Sequence, residues 1–291
     1  MLQSVLPAYG LNEETIKVES FGSGLINHTW KITTADKEYI LQKLNHAVFK
    51  NPESIAHNIR LIAGYLKQHY PHYAFVAPVA TLDGKEMINL NDEGFFRLFP
   101  FVAGSHSKDV VENAGEAYEA ALHFGRFTKL LTGFDVSQLQ ITIPCFHDLE
   151  LRYQQFLHAL KSGNQQRISQ SEELIGILND KADIVTEFKN IQSNPEFKLR
   201  VTHHDTKISN VLFDSEGKGI CVIDLDTVMP GYFISDVGDM MRTYLSPVSE
   251  EETDFSKIII REEFYKAIVQ GYYSEMKEEL TETEKQYFFY A

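Results

Sequence analysis

Alternation of apolar and polar residues near the beginning of the chain predicts a small β-sheet. Three strands are predicted over residues 16–21, 26–33 and 39–44, because side chains of a half-buried strand repeat with a period of two. A further strand begins at Gly94 and is broken by Pro100 and Gly104. Short strands in series favour an antiparallel arrangement.

The rest of the chain is dominated by a helical period. A helix opens at Pro52 and carries one apolar stripe, formed by Ile55, Ile59, Ile62 and Leu66. Further helices are predicted over residues 110–131, 148–160 and 171–191, with a break at Gly163-Asn164. The predicted fold class is α+β, with a small sheet followed by a larger helical part.

Composition and charge restrict the possible partners. The chain has 291 residues, 43% of them hydrophobic, and a net charge of −14, which argues against nucleic acid as a partner. There is neither a signal peptide nor a long apolar run, so no membrane segment is expected. Cys145 and Cys221 lack metal-ligand spacing and are predicted to be buried thiols in a reducing cytoplasm.

The segment 201–227 carries the strongest chemical signal. His204-Asp205 is followed by Asn210, and the apolar runs 211–213 and 220–223 predict a hairpin that returns Asp224 to the same place. One carboxylate that takes a hydroxyl proton, with an amide and a second carboxylate that hold Mg²⁺, suits phosphoryl transfer from ATP. Each piece alone also fits a tight turn with solvated carboxylates.

These residues carry a resemblance to a known group of enzymes. HHDTKISNVLFD and VIDLDTVMPG resemble the aminoglycoside phosphotransferase and choline kinase superfamily, which has a protein-kinase-like fold. GSGLINHTW and YILQKLN, with the two motifs above, look most like the N-acetylhexosamine 1-kinase branch, which phosphorylates the anomeric hydroxyl of GlcNAc or GalNAc. The likeness runs from about Phe21 to Tyr244.

The resemblance implies a two-lobed molecule with ATP between the lobes. Residues 1–100 would form the nucleotide-covering lobe, residues 97–104 the hinge, and residues 105–291 a helical lobe with the catalytic loop, residues 201–227. The Phe99 carbonyl and the Phe101 N–H are the candidates to hydrogen-bond the adenine edge, because Pro100 has no N–H to donate.

Phosphate binding is predicted on the glycine turn and the third strand. Gly22, Ser23 and Gly24 form a turn whose backbone can approach phosphate oxygens, although a plain hairpin turn explains it equally well. Lys43 is the candidate cation, and Gln42 takes its place if the register is shifted by one residue.

The remaining roles follow the superfamily motif. Asp205 is the predicted base, Asn210 and Asp224 the Mg²⁺ ligands, and Asp226 a helper at the metal. Asp236 is expected to accept backbone N–H bonds that hold the catalytic loop.

Two further positions have competing interpretations. His203 is predicted to pack beside the catalytic loop, although it is also a conceivable base. Glu53 either pairs with Lys43 or favours the beginning of its helix electrostatically.

The acceptor is the least constrained part of the prediction. His28, Arg242 and Tyr244 are candidate substrate contacts, and packing or a surface ion pair explains each of them as simply. The favoured acceptor is an amino sugar. Two alternatives stay open: another small acceptor such as choline, homoserine or an aminoglycoside, or an inactive nucleotide-binding protein. The aromatic end at 287–291 also predicts that a C-terminal segment of the resembled branch is missing.

Overall fold

A computed structural model describes residues 2–22, 26–90, 93–248 and 252–291, which form two compact units. The first unit comprises residues 1–143 and 199–279, and the second comprises residues 144–198 and 280–291. The division at residue 100 that the resemblance implies does not coincide with these units and stays a prediction.

The strands of the described chain form one five-stranded sheet and two short pairs. They are β1 (Lys17–Ser20), β2 (His28–Thr33), β3 (Glu38–Lys43), β4 (Ile88–Leu90), β5 (Gly94–Pro100), β6 (Arg200–Thr202), β7 (Val211–Phe213), β8 (Gly219–Val222) and β9 (Met229–Gly231). The large sheet is antiparallel with the order β1-β2-β3-β5-β4. Sequence analysis predicted four of its strands and missed β4, which has only three residues.

The helices account for most of the remaining chain. They are α1 (Leu2–Val5), α2 (Pro52–His69), α3 (Ala114–Leu130), α4 (Leu149–Ser162), α5 (Gln165–Gln170), α6 (Glu172–Asp180), α7 (Asp183–Ser193), α8 (Phe233–Tyr244), α9 (Glu262–Met276) and α10 (Glu282–Lys285). The α+β prediction is confirmed. Among the described residues, no helix is both long and apolar enough to span a bilayer.

The two faces of the large sheet have different surroundings. One face is apolar, and its buried side chains Ile32, Leu41, Phe96 and Leu98 pack with Val5 and Leu6. Gln42 and Arg97, which are directly paired in the register, lie on the opposite face because successive residues of a strand alternate. This second face carries the polar groups that meet the catalytic loop.

Helices α2, α3, α8 and α9 supply the helical core of the first unit. The predicted stripe on α2 is buried throughout. Helices α3 and α9 approach closely at two glycines: a Cβ on Gly271 would lie 2.4 Å from the Tyr118 carbonyl, and one on Gly125 would lie 3.0 Å from the Tyr272 carbonyl. Glycine at both positions therefore permits backbone contact between the two helices.

Two short strand pairs frame the catalytic loop. Strands β7 and β8 form the predicted hairpin, with Val211 opposite Val222. Met229–Gly231 form β9 and pair with β6 in an antiparallel arrangement. Proline at 230 is tolerated there because a two-stranded pair leaves its outer edge without a ladder partner.

The second unit is helical, and two predictions about it needed correction. Residues 171–191 form α6 and α7 rather than one helix, with the break at Lys181-Ala182. Cys145 is exposed at the beginning of this unit, whereas Cys221 of the first unit is buried as predicted. Both thiols are free.

Candidate active site

Helix α8 holds the backbone of the catalytic loop from behind. The Asp236 carboxylate accepts the N–H of His203 at 3.1 Å and the N–H of His204 at 2.7 Å. His204 adopts a left-handed conformation (φ 68°), which turns the chain so that both N–H groups face one carboxylate. Burial raises the pKa of Asp236 and the two N–H bonds oppose that rise. The structure thus places Asp236 where the resemblance implied.

The next residue of the loop, Thr206, is held by the same helix. Asp239 accepts the Thr206 N–H at 2.6 Å, and the Tyr244 hydroxyl donates to the Thr206 carbonyl at 2.5 Å. Tyr244 is only 1% exposed, so it is not placed to serve as the predicted substrate contact in this structure. Its hydroxyl instead fixes the backbone beside Asp205.

His203 has a structural environment. Its Nδ1 accepts the Asp205 N–H at 3.4 Å, so Nε2 carries the proton and donates to the Ile223 carbonyl at 3.0 Å. The ring packs edge-on against Phe124, and burial lowers the pKa of the imidazole. A buried neutral ring with both nitrogens occupied is poorly suited to take a proton from a substrate.

Asp205 and Asn210 form the polar centre of the loop. The Asn210 side-chain amide donates to the Asp205 carboxylate at 3.1 Å and to the Asp205 carbonyl at 2.9 Å. The Ile223 N–H donates to the Asn210 carbonyl at 2.8 Å, which fastens the returning strand of the hairpin to the loop. Asp205 is half-buried, so its carboxylate remains accessible to a ligand.

Asp224 follows Ile223 and turns into the same region in a left-handed conformation (φ 57°). Its side chain is exposed to solvent, although protein groups surround the carboxylate closely. This crowding is the largest cause that raises the pKa of Asp224, and the neighbouring Asp226 adds to it, whereas Arg97 and Lys207 oppose it. Because water reaches the carboxylate, screening weakens these effects.

The donor set suits a hard divalent cation that is shared with phosphate. The side-chain nitrogen of Asn210 donates to Asp205, which leaves its side-chain oxygen available to a metal ion. Asp224 presents an exposed carboxylate. Mg²⁺ usually takes one or two protein oxygens and completes its octahedron with water and substrate phosphates. Among the described residues, no group of three His, Cys, Asp or Glu side chains forms a cage for a metal.

Asp226 is placed differently from Asp224. Its side chain is 3% exposed, and one oxygen lies 2.5 Å from Nη1 of Arg97 as an ion pair without hydrogen-bond alignment. The other oxygen accepts the side-chain amide of Asn27 at 3.0 Å. Both carboxylate oxygens therefore face protein partners, which does not favour the predicted role of helper at the metal.

The sheet brings Gln42, not Lys43, to the catalytic side. Arg97 donates from Nε and Nη2 to the Gln42 side-chain oxygen at 3.2 and 2.9 Å. Lys43 lies on the opposite face with its Nζ 5.6 Å from the centre of the Phe96 ring, and His28 is its cross-strand partner. The predictions that Lys43 binds phosphate and that His28 meets the acceptor are therefore wrong in this structure, because a shift of one residue reverses the face.

Glu53 does not serve as a partner of the strand lysine. The Glu53 side chain is exposed in the first turn of α2, and within the described residues no ion pair joins it to Lys43. Its position favours the beginning of the helix electrostatically.

The two backbone groups that were predicted to meet adenine both face β3. The Phe101 N–H donates to the Glu38 carbonyl at 3.0 Å, so it is used within the sheet. Phe99 pairs with Ile40, and since bonding directions alternate along antiparallel strands, Phe99 also faces β3. By the same alternation, the Pro100 carbonyl points away from β3.

Two candidate regions remain to be located. Gly22 has φ 79°, with open space around the position of a Cβ, whereas Ser23 and Gly24 lie outside the described residues. Arg242 pairs with Asp239 at 2.7 Å and its side chain is 50% exposed, which agrees with the surface pair that the sequence left open.

Several residues that shape the site were not predicted from sequence. Arg97 interrupts an apolar strand, and a buried charge in such a strand implies a buried partner. Lys207 lies two residues after Asp205, and its charge acts on Asp224. Asn27 and Asp239 gave no such signal, since a polar residue near a turn or on a helix is ordinary.

A comparison with protein families decides the wider assignment. A model described as the phosphotransferase enzyme family matches residues 17–280 of the chain. The chain belongs to this phosphotransferase family. It is thus a small-molecule phosphotransferase.

Solved structures share the fold with this phosphotransferase. A microcompartment-associated aminopropanol kinase has a TM-score of 0.67 at 16% identity, over 99% of this chain and 83% of that one. An amicoumacin kinase in complex with AMP-PNP and Ca²⁺ has a TM-score of 0.62 at 17% identity, over 92% and 75%. A choline kinase from Cryptosporidium parvum Iowa II has a TM-score of 0.56 at 16% identity, over 99% and 81%. These likenesses confirm the predicted two-lobed kinase-like fold.

Proposed function

We propose that this phosphotransferase transfers the γ-phosphoryl group of ATP to the anomeric hydroxyl of an N-acetylhexosamine. The observation that carries the proposal is the convergence of Asp205, Asn210 and Asp224 on one loop and hairpin, with Asn210 bonded directly to the Asp205 carboxylate. Phosphoryl transfer needs a positioned base and neutralisation of phosphate charge rather than a covalent intermediate.

Asp205 orients the acceptor hydroxyl and takes its proton. The Asn210 amide fixes one oxygen of this carboxylate, which leaves the other free to meet the hydroxyl. The backbone on both sides is fixed through His204 and Thr206 by α8, so the carboxylate keeps its position during turnover. A positioned base of this kind contributes roughly 10²–10⁴-fold to the rate.

The side-chain oxygens of Asn210 and Asp224 would hold Mg²⁺. The bound ion would neutralise charge on the phosphates. Lys207 supplies a further positive charge near Asp224, and its place two residues after Asp205 suits contact with the transferred phosphate. Gly22 opens the turn that approaches the phosphates, and the Pro100 carbonyl offers a backbone group to adenine.

The choice of acceptor rests on the wording of the motifs. HHDTKISNVLFD, VIDLDTVMPG, GSGLINHTW and YILQKLN together resemble the N-acetylhexosamine 1-kinase branch. A neutral sugar is recognised by directional hydrogen bonds and an apolar platform. The structural neighbours include an aminopropanol kinase and a choline kinase, so a small amino alcohol is the competing acceptor class.

The test is a panel of acceptors with ATP and Mg²⁺, assayed for ADP release, followed by phosphorus NMR of the product. We expect GlcNAc or GalNAc to give a sugar 1-phosphate. Phosphate on the 6-hydroxyl would contradict the anomeric assignment. Transfer to choline, aminopropanol or an aminoglycoside, with none to either hexosamine, would contradict the branch assignment and retain the family. ATP binding without transfer to any acceptor would favour an inactive nucleotide-binding protein.

A further inference from the structure

Asp226 lies at the junction of three parts of the first unit. It follows Asp224 on the catalytic loop, its partner Arg97 belongs to β5, and its partner Asn27 lies between the glycine turn and β2. Asn27 and Arg97 approach different oxygens of the carboxylate, so the residue joins two separate segments at once. We call Asp226, Arg97, Gln42 and Asn27 the Asp226 network.

The network is ordered by further contacts at its edges. Gln42 receives two N–H groups of the Arg97 guanidinium with one oxygen, which fixes the plane of the guanidinium. Asn27 accepts the Asn45 N–H at 3.0 Å through its own side-chain oxygen while its amide binds Asp226. Asn27, Arg97 and Asp226 each contact two partners through their side chains, so moving one of them displaces the others.

Burial sets the strength of this arrangement. The side chains of Arg97 and Asp226 are 1% and 3% exposed, so water does not replace either partner. A buried charge that loses its partner is strongly unfavourable, which is why such pairs fix geometry. Asp226 is thereby tied to the sheet, whereas Asp224 two residues earlier remains open to solvent.

We propose that the Asp226 network positions the sheet and the segment after the glycine turn over the catalytic loop, and that Asp226 is a positioning residue rather than a Mg²⁺ ligand. The network fixes the position of Asn27 and of the sheet relative to the catalytic loop before any nucleotide arrives. Gln42 on β3 orients the guanidinium of Arg97 on β5. Arg97 in turn forms an ion pair with Asp226, which belongs to the catalytic loop.

The experiment compares AMP-PNP affinity in EDTA with affinity in Mg²⁺, by calorimetry. Asp226→Asn and Arg97→Met should weaken binding by about 10-fold in both conditions, because the network acts through the position of the sheet. The matched control Asp224→Ala should lose affinity only when Mg²⁺ is present. If Asp226→Asn behaves like Asp224→Ala, Asp226 is a metal ligand and the proposal is overturned.

A variant with the charge pair intact guards against misfolding. Asn27→Ala removes one limb of the network and should weaken AMP-PNP binding in EDTA as well. In combination with Asp226→Asn it should add little, since both changes break the same link. Fully additive effects would show that the two residues act independently, which contradicts a shared network.

Hydrogen exchange provides a readout that does not need nucleotide. The Asn45 N–H donates to the Asn27 side-chain oxygen, so its exchange rate depends on the position of Asn27. This N–H should exchange faster in Asp226→Asn and in Arg97→Met. The Lys85 N–H, which donates to the Thr81 hydroxyl at 2.9 Å in a separate turn, should be unchanged. Unchanged exchange at Asn45 would overturn the proposal even if the parent protein bound no nucleotide, so the two proposals fail separately.

Discussion

The hydroxyl of Tyr244 offers a sharp test of how the catalytic loop is held. Tyr244→Phe removes one oxygen and keeps the ring. The lost bond is the donation to the Thr206 carbonyl at 2.5 Å, in a residue that is 1% exposed. Burial raises the pKa of this phenol well above its usual value, so the hydroxyl is a donor at every pH of interest.

The cost follows from the burial of both groups. A net hydrogen bond contributes about 1 kcal/mol, and a buried acceptor left without its donor adds a similar amount, which gives about 2 kcal/mol. For a chain of this size that lowers the thermal midpoint by about 3 °C. Thr206 adjoins Asp205, so kcat should fall by roughly 10-fold, since a misplacement of about 1 Å can cost up to ~10²-fold. KM for the acceptor should not change, because a buried ring does not touch substrate.

The assay combines thermal unfolding with initial rates at varied acceptor concentration. The matched control is Tyr9→Phe, which removes a hydroxyl that donates to the Phe96 carbonyl at 3.3 Å on the sheet. That variant should lower stability slightly and leave kcat unchanged. A raised KM with normal kcat in Tyr244→Phe would refute the reasoning, since it would mean that the hydroxyl meets the acceptor.

Three further predictions address the base, the metal and the interior. Asp205→Asn should bind nucleotide normally in calorimetry and lose about 10²-fold in turnover, and normal turnover would move the role of base elsewhere. Asp224→Ala should abolish the gain in ATP affinity that Mg²⁺ provides, and an unchanged gain would exclude it as a ligand. Burial lowers the pKa of His123 from 6.5 to about 4. The unfolded chain therefore takes up a proton at this residue before the folded protein does. The free energy of unfolding should fall by about 3 kcal/mol as the pH is lowered from ~6.5 to ~4. His123→Gln should flatten this part of the curve of unfolding free energy against pH, and an identical slope would refute it.

Local features of the fold were predictable because neighbouring residues determine them. The β7–β8 hairpin needed only two apolar runs and a turn, and α2 needed only Pro52 and a stripe with helical spacing. The catalytic loop was found from its spacing, since Asp205 and Asn210 are close enough in sequence for one turn to bring them together.

Orientation of the strands was not predictable to the same degree. Three successive residues of β3, Tyr39, Ile40 and Leu41, are all largely apolar. The sequence therefore does not show which face of the strand is buried, and so does not show whether Gln42 or Lys43 points to the catalytic side. The phase is fixed by Arg97 on the next strand, whose partner Asp226 is remote in sequence. A single sequence carries no record of such a pair, so Lys43 and its cross-strand partner His28 were predicted on the wrong face.

Aromatic residues were ambiguous for a different reason. Tyr244 ends a helix with an apolar face, and a phenol there serves equally well as a packing group or a binding surface. The role of Tyr244 becomes clear only from the structure, in which its hydroxyl donates a hydrogen bond to the Thr206 carbonyl of the catalytic loop.

The close contact of α3 with α9 has a consequence for the order of folding. Arg126 and Glu275 join these helices although they are 149 residues apart in sequence, and the catalytic loop lies between them along the chain. On the ribosome, α3 emerges long before α9 has been made, so the face of α3 around Gly125 has no helix to pack against while the catalytic loop is synthesised. Contacts of such separation form slowly, because closure of a long loop must precede any gain from packing. The helical core is therefore completed only after α9 has been made, and a nascent chain is most exposed to aggregation just before α9 docks.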